Sequence, residues 1–197
     1  MKKLHEIGNQ ILKEEMRNKM NNHYRMTQLF SNTSDIKEDD QNYDRNDVID
    51  KIKNNKWESP NAHRFKASIE KSHYPEFLTK YNANELSKMD LFKLEGYNIG
   101  YALKNINNGK KEIVSVYNNE PQIKNIGQEL IMSAVKNGGC YIDFYDGFLT
   151  NLYKSMGFVE IKREKFNPDY DSNGEFRNKY GEPDVVYAVH NSCNDPK

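Results

Sequence analysis

The chain has 197 residues, which is enough for one α/β domain with its own core and a smaller extension. Lys and Arg together number 29, and Asp and Glu also number 29, so the net charge of +0 gives no general attraction to nucleic acid or to an anionic membrane. The longest apolar runs have only strand length, and no apolar segment follows the basic residues after Met1. The sequence therefore favours a cytoplasmic protein without a membrane span or a secretion signal.

Residues 1–65 are predicted to form a polar helical arm. Leu4 and Ile7 begin an apolar stripe at helical spacing, which predicts a helix up to about residue 30 that needs a partner surface. The polar, acidic segment 31–47 is predicted to be a linker or loop, and Asp47 is expected to cap a short helix that follows it. We expect this arm to dock on the domain or on another subunit.

Residues 66–192 are predicted to form the domain, and its first half favours antiparallel strands. The predicted elements are a strand at 65–69, a short helix at 82–89, strands at 91–94 and 99–103, and a strand that begins near Glu112. Asn107, Asn108 and Gly109 separate the last two of these strands. An Asn-Gly pair between strands indicates a hairpin, because both central turn residues need positive φ.

The second half of the domain alternates strand and helix. The predicted elements are a helix at 126–136, a strand at 140–145, a helix at 149–156, a strand that begins at Phe158, a long charged loop at 162–182 and a final strand at 185–189. Strands joined through helices need crossover connections, so a mixed sheet with helices on both faces is expected.

The cysteines and histidines predict neither a metal site nor a disulfide framework. Cys140 and Cys193 are too few for such a framework and lack metal-ligand spacing, and Cys140 is expected to be an inert buried thiol. The histidines at 63, 73 and 190 are scattered without ligand spacing.

The junction at residues 122–127 predicts an anion site. The strand Ile113–Tyr117 precedes it, and an amphipathic helix follows directly. Backbone N–H groups at the start of a helix have no partner within the helix, and the helix dipole favours negative charge there. A phosphate group could therefore bind at this junction without a basic side chain.

Two motifs in this region resemble those of the GNAT-type N-acetyltransferases. Gln122 and Gly127 match the ends of the family's Gln/Arg-x-x-Gly-x-Gly/Ala loop, and Asn125 stands at its middle glycine. Asn is the non-glycine residue that best tolerates positive φ. The next helix of this family ends in Asn-x-x-Tyr-x-x-x-Gly-Phe; Tyr153, Gly157 and Phe158 match this ending, and Asn151 lies two positions before Tyr153 instead of three.

The resemblance implies a GNAT-like domain that binds acetyl-coenzyme A and transfers its acetyl group to an amine. The implied cofactor-binding residues are Val114, Ser115 and Val116 for the pantetheine arm, the loop residues Gln122, Lys124, Asn125, Ile126, Gly127 and Gln128 for the pyrophosphate, and Asn151. In this family the acceptor amine attacks the thioester directly, where two neighbouring parallel strands splay apart.

Three residues are candidates for catalysis, and two of them also have a purely structural explanation. The motif implies that Tyr153 protonates the departing thiolate, but helical spacing with Leu149 and Met156 also explains a core aromatic there. Asp143 and Asp146 lie at the carboxyl end of the strand predicted at 140–145, where open α/β sheets place ligands, so either is a candidate general base. The structural explanation for Asp146, which the sequence favours, is that it forms the N-cap of the following helix.

Two functional interpretations therefore remain open. The first is an acyltransferase that uses acetyl-coenzyme A. The second is a non-catalytic protein with an acetyltransferase-like fold and a role in assembly, such as a bacteriophage virion or core component, because the segments around Asp143 and Asp184 are similar to acetyltransferase-like domains of bacteriophages.

Overall fold

The computed structural model describes residues 38–72, 75–106, 109–171 and 173–193, so the helix predicted within residues 1–30 lies outside the described residues. The α-helices are α1 (Glu38–Lys53), α2 (Ala62–Glu70), α3 (Ala83–Leu86), α4 (Gly127–Lys136), α5 (Phe148–Ser155) and α6 (Glu175–Tyr180). The strands are β1 (Trp57–Glu58), β2 (Asp90–Leu94), β3 (Ile99–Asn105), β4 (Lys111–Asn118), β5 (Gly139–Tyr145), β6 (Phe158–Glu164) and β7 (Val185–His190). Among these residues, no helix combines the length and apolarity that a membrane crossing requires.

The described strands form one mixed sheet, which confirms the predicted α/β class. Their order is β1-β2-β3-β4-β5-β7-β6, and only β4 and β5 pair in parallel. The predicted hairpin between β3 and β4 is present, with Asn105 opposite Lys111. The single parallel pair follows from the crossover through α4, as strand-helix alternation predicts.

Helices cover both faces of the sheet, as alternate side chains of β3 show. Tyr101 and Leu103 pack with Ile131 of α4, while Ala102 packs with Phe65 of α2 and its neighbours. Successive strand residues point to opposite faces, so these contacts lie on opposite sides of the sheet. The predicted arrangement of helices on both faces is confirmed.

The prediction of a linker over residues 31–47 is wrong for residues 38–47, which belong to α1. Val48 and Ile52 of this helix are buried against Ile123 and other apolar residues. Asp47 lies inside the helix and does not cap it, and its carboxylate accepts a hydrogen bond from the Tyr97 hydroxyl at 2.7 Å. Burial and this carboxylate raise the pKa of Tyr97 to about 12. Tertiary contacts thus stabilise this helix, although the polar composition of the segment does not predict one.

The predicted strand at 65–69 is wrong, because these residues lie in α2. The Asn61 side chain caps the helix by accepting a hydrogen bond from the Arg64 amide at 2.9 Å. Phe65 and Ile69, four residues apart, are the buried positions of the helix. The five-residue apolar pattern was too short to separate a strand from a helix.

The predicted long loop at 162–182 contains ordered elements. Strand β6 continues to Glu164, a 3₁₀ turn covers Pro168–Tyr170, and α6 follows. Strand β6 is the last strand of the sheet and pairs only with β7 among the described strands. Its charged residues are exposed at this edge, which explains why their pattern looked like a loop.

Cys140 is not a free thiol, because it forms a disulfide bond with Cys193. The Cα atoms lie 5.6 Å apart, and the bond joins the start of β5 to the turn that follows β7. Disulfide bonds are typical of oxidising compartments, so the cytoplasmic location stays a prediction.

We expect replacement of Cys140 and Cys193 together by Ser to lower the free energy of unfolding by about 2–4 kcal/mol, because the bond closes a long loop in the unfolded chain. The two residues are 53 positions apart. Urea unfolding followed by circular dichroism measures this loss. Dithiothreitol should destabilise the wild-type protein equally and leave the variant unchanged, whereas equal stability of variant and oxidised wild type would contradict the prediction.

Candidate functional site

The parallel strands β4 and β5 separate after a short paired stretch. Their register contains two pairs, Lys111 with Gly139 and Glu112 with Tyr141. Strand β4 continues to Asn118 and β5 continues to Tyr145 without further pairing between the two. The carboxyl-terminal halves of the two strands therefore border a gap in the backbone pairing of the sheet, at the edge where open α/β sheets bind ligands.

A β-bulge lies in β4 beside this gap. Val114 pairs with Ala102 and Tyr117 pairs with Gly100, so Ser115 and Val116 together face one residue of β3. Ser115 has a φ of 53°, a region that costs energy for a residue with a side chain. Its side chain is 7% exposed, and the hydroxyl has no hydrogen-bond partner among the described residues. An unpaired buried hydroxyl beside a gap is a position that a ligand could satisfy.

The loop from β4 to α4 adopts the turn that its sequence predicts. Asn125, at the middle position of the loop motif, has a φ of 57°. The Asn118 side chain braces the loop, because its amide donates to the Ile123 carbonyl at 2.6 Å and its oxygen accepts from the Glu120 amide at 3.0 Å. Ile123 and Ile126 are buried beneath the loop. The loop is therefore held in place before any ligand binds.

Helix α4 begins at this loop without a side-chain cap. Ile126 occupies the N-cap position and makes no capping hydrogen bond, and Gly127 is the first residue of the helix. Gly127 does not have a positive φ, so the special backbone conformation of the loop belongs to Asn125. Of the other predicted contacts, Gln122, Gln128 and Asn151 are exposed and Lys124 is half-buried. Backbone N–H groups in the first turn of a helix lack partners within the helix, so this end of α4 suits an anion.

Asp143 lies on β5 in a patch of polar and aromatic residues. Asp143 is exposed to solvent, but the protein groups around its carboxylate partly desolvate it. This desolvation and the negative charge of Glu112 raise the pKa of Asp143. Lys104 Nζ lies 3.1 Å from Glu112 Oε2 and 5.8 Å from the centre of the Tyr81 ring. Burial raises the pKa values of Tyr81 and Tyr145, and the charge of Asp143 adds to both shifts.

Tyr153 has its ring in the core and its hydroxyl within electrostatic range of Asp143. The residue is 8% exposed, and its ring centre lies 4.7 Å from that of Phe144 and 5.8 Å from that of Phe158. Burial raises the pKa of Tyr153, and the charge of Asp143 raises it further. The hydroxyl therefore stays protonated at neutral pH. Tyr153 packs on Phe144, the neighbour of Asp143 on β5, and the catalytic roles of Tyr153 and Asp143 stay predictions.

Asp146 does not cap α5, because Gly147 occupies the N-cap position. Asp146 Oδ1 accepts a hydrogen bond from Thr150 Oγ1 at 2.5 Å, and Oδ2 forms an ion pair with Arg163. Burial opposes ionisation, but the hydrogen bonds from Thr150 and Arg163 prevail and lower the pKa of Asp146. A carboxylate held in this way is a weaker base than Asp143.

Beside Asp143, an aromatic cluster joins β5 to the segment before β7. Its members are Phe77, Tyr145, Phe166, Phe176 and Tyr180. The Glu76 carboxylate accepts hydrogen bonds from Lys179 Nζ and the Tyr180 hydroxyl, both at 2.7 Å. This cluster places aromatic rings next to the Asp143 patch. Sequence reasoning missed it, although several aromatic residues in the charged segment 162–182 were a signal.

A scan against protein-family models and a search of the curated proteins found no match for this chain. The functional argument therefore depends on the geometry of the site.

Proposed function

We propose that this protein transfers the acetyl group of acetyl-coenzyme A to an amine acceptor, on a GNAT-like domain. The observation that carries the proposal is the separation of the parallel strands β4 and β5 next to the loop at Asn125. In GNAT-type N-acetyltransferases the amine meets the thioester where two parallel strands splay apart. The motif residues at 122–127 and 151–158 support the same assignment.

In this proposal, the pyrophosphate of the cofactor binds at the loop and at the start of α4. Asn125 in the left-handed conformation turns successive backbone N–H groups toward one side, and such concave arrangements bind anions. The uncapped first turn of α4 adds further donors. The pantetheine arm then runs along Val114, Ser115 and Val116, where the buried Ser115 hydroxyl gains a partner.

The proposed chemistry uses two of the catalytic candidates in opposite roles. Asp143 removes a proton from the acceptor ammonium, and the free amine attacks the thioester carbonyl carbon. The carbon–sulfur bond breaks, the Tyr153 hydroxyl donates its proton to the departing thiolate, and the surplus proton on the acetylated nitrogen returns to the Tyr153 phenolate. The products are an acetamide and free coenzyme A. The raised pKa of Asp143 suits a base, because a carboxylate with a higher proton affinity removes a proton more readily.

We expect Asn125→Val to weaken acetyl-coenzyme A binding by about 5–150-fold, which corresponds to about 1–3 kcal/mol of backbone strain. A β-branched residue does not tolerate the φ of 57° at this position. Asn125→Gly should keep or improve the affinity, because glycine adopts positive φ without strain. Calorimetric titration of the three proteins with acetyl-coenzyme A measures the difference.

Asn55 provides a matched control for this loop. It also has a positive φ, 55°, but lies in the turn between α1 and β1. Asn55→Val should lower the melting temperature as Asn125→Val does, without changing the cofactor affinity. Equal affinity of Asn125→Val and wild type would contradict the placement of the pyrophosphate.

A role in assembly is the second candidate, and the exposed edge of the sheet favours it. Val159 and Ile161 of β6 are 49% and 56% exposed on an edge strand, an arrangement that can pair with another chain. An assay of thiol release from acetyl-coenzyme A with a panel of primary amines separates the two functions. Amine-dependent release supports the transferase, whereas a protein that neither binds nor cleaves acetyl-coenzyme A supports assembly.

A further inference from the structure

We propose that Arg45 of α1 is a positioning residue for the cofactor loop, which makes the helix before the domain a part of the binding site. This inference rests on the proposed function, because it assigns Arg45 to the loop that is to hold the pyrophosphate. No motif of the loop includes Arg45, which is 79 positions away from Lys124 in the sequence.

The guanidinium of Arg45 bonds directly to the backbone of the loop. Its Nε donates to the Lys124 carbonyl at 3.2 Å, and its Nη2 donates to the Asn125 carbonyl at 3.0 Å. Nη2 also lies 3.8 Å from Glu129 Oε1 in the first turn of α4. The side chain therefore joins the two residues at the centre of the loop motif to the start of the helix.

The carbonyl contacts matter because they leave the amides of the loop free. A peptide unit points its N–H and C=O groups in opposite directions, so a donor on the carbonyl side holds the N–H groups toward the other side. The planar guanidinium suits this task, since it presents several donors in a fixed geometry.

Helix α1 holds Arg45 in a fixed position beside the loop. Val48 and Ile52 anchor the helix in the apolar cluster that includes Ile123 and Ile126 of the loop region. Two residues after Arg45, Asp47 accepts a hydrogen bond from the Tyr97 hydroxyl. Because these anchors do not involve Arg45, the guanidinium can be removed while α1 stays in place.

The experiment compares Arg45→Ala and Arg45→Lys with Lys51→Ala in the full chain. Lys51 is the matched control for loosening of α1, because it lies on the same helix, pairs with Asp47 and donates to the Glu95 carbonyl at 3.3 Å, all outside the loop. The measurements are calorimetric titration with coenzyme A, the steady-state constants for acetyl-coenzyme A, and amide hydrogen exchange of residues 123–127 in the free protein.

Arg45→Ala should weaken coenzyme A binding by about tenfold, the effect of roughly one or two net hydrogen bonds. The KM for acetyl-coenzyme A should rise by a similar factor while kcat stays nearly constant, and added ethylguanidinium should restore part of the affinity. The affinity of Arg45→Lys for coenzyme A should fall between those of wild type and Arg45→Ala, since the lysine ammonium replaces only some of the guanidinium's hydrogen bonds. Exchange at residues 123–127 should accelerate in Arg45→Ala and stay unchanged in Lys51→Ala.

Unchanged exchange and unchanged affinity in Arg45→Ala would overturn the inference, as would an equal loss of affinity in Lys51→Ala. Failure of the wild-type protein to bind coenzyme A would contradict the proposed function instead. In that case the exchange measurement on the free protein still decides the inference: acceleration in Arg45→Ala alone supports the positioning role, and its absence overturns it.

Discussion

We expect Tyr153→Phe to lower the turnover of acetyl transfer by about 10²–10⁴-fold with little change in melting temperature, because it removes only the proposed proton donor. The ring contacts with Phe144 and Phe158 remain in this variant. Burial and the charge of Asp143 keep the hydroxyl protonated, as a general acid requires. Steady-state kinetics and thermal unfolding of the same samples measure both effects.

Tyr101 is the matched control for this substitution. It is also a fully buried tyrosine of the same apolar cluster, but its hydroxyl accepts a hydrogen bond from Asn137 Nδ2 at 2.7 Å. Tyr101→Phe should cost about 1 kcal/mol of stability and leave turnover unchanged. A fully active Tyr153→Phe protein would remove Tyr153 from the mechanism.

We expect Asp143→Asn to reduce turnover by about 10²–10⁴-fold and to raise the melting temperature at neutral pH. The pKa of Asp143 is raised by partial desolvation and by Glu112, so the ionised carboxylate destabilises the fold at neutral pH. This penalty disappears as the pH falls through the folded-state pKa, and the gain in the variant should shrink over the same range. In the wild-type protein, turnover should rise with pH as Asp143 loses its proton.

Asp146, the residue directly after β5, provides a comparison in which the melting temperature is expected to change in the opposite direction. Hydrogen bonds from Thr150 and Arg163 outweigh burial and lower the pKa of Asp146, so its carboxylate stabilises the fold at neutral pH and loses this effect as the pH falls through the folded-state pKa. Asp146→Asn should therefore lower the melting temperature, opposite to Asp143→Asn. A decrease in melting temperature for both variants would contradict the electrostatic account of Asp143.

The sequence predicted the second half of the fold better than the first, for physical reasons. Helix α4 and strand β5 begin within one residue of their predicted starts, because a strong apolar stripe ends at Gly138 and Gly139. The helical state of residues 65–69 was missed, since a five-residue apolar run has no unambiguous period. The bond between Cys140 and Cys193 depends on distances that only the folded sheet creates.

The candidate site was predictable where its residues are local in sequence. The left-handed turn at Asn125 follows from the tolerance of asparagine for positive φ. Arg45 and Glu76 could not be found in this way, because each contacts its partners across about 80 or 100 intervening residues. In the sequence both look like ordinary solvated charges, and only the packing of α1 and α6 gives them partners.

Calorimetric titration of the full chain with acetyl-coenzyme A tests the central claim most directly, because it examines the gap between β4 and β5 without requiring knowledge of the acceptor. The account predicts saturable binding of one cofactor per chain, weakened by Asn125→Val and retained in Asn125→Gly and Asn55→Val. Absence of binding to the folded wild-type protein, or affinity that is the same in all four proteins, would contradict it.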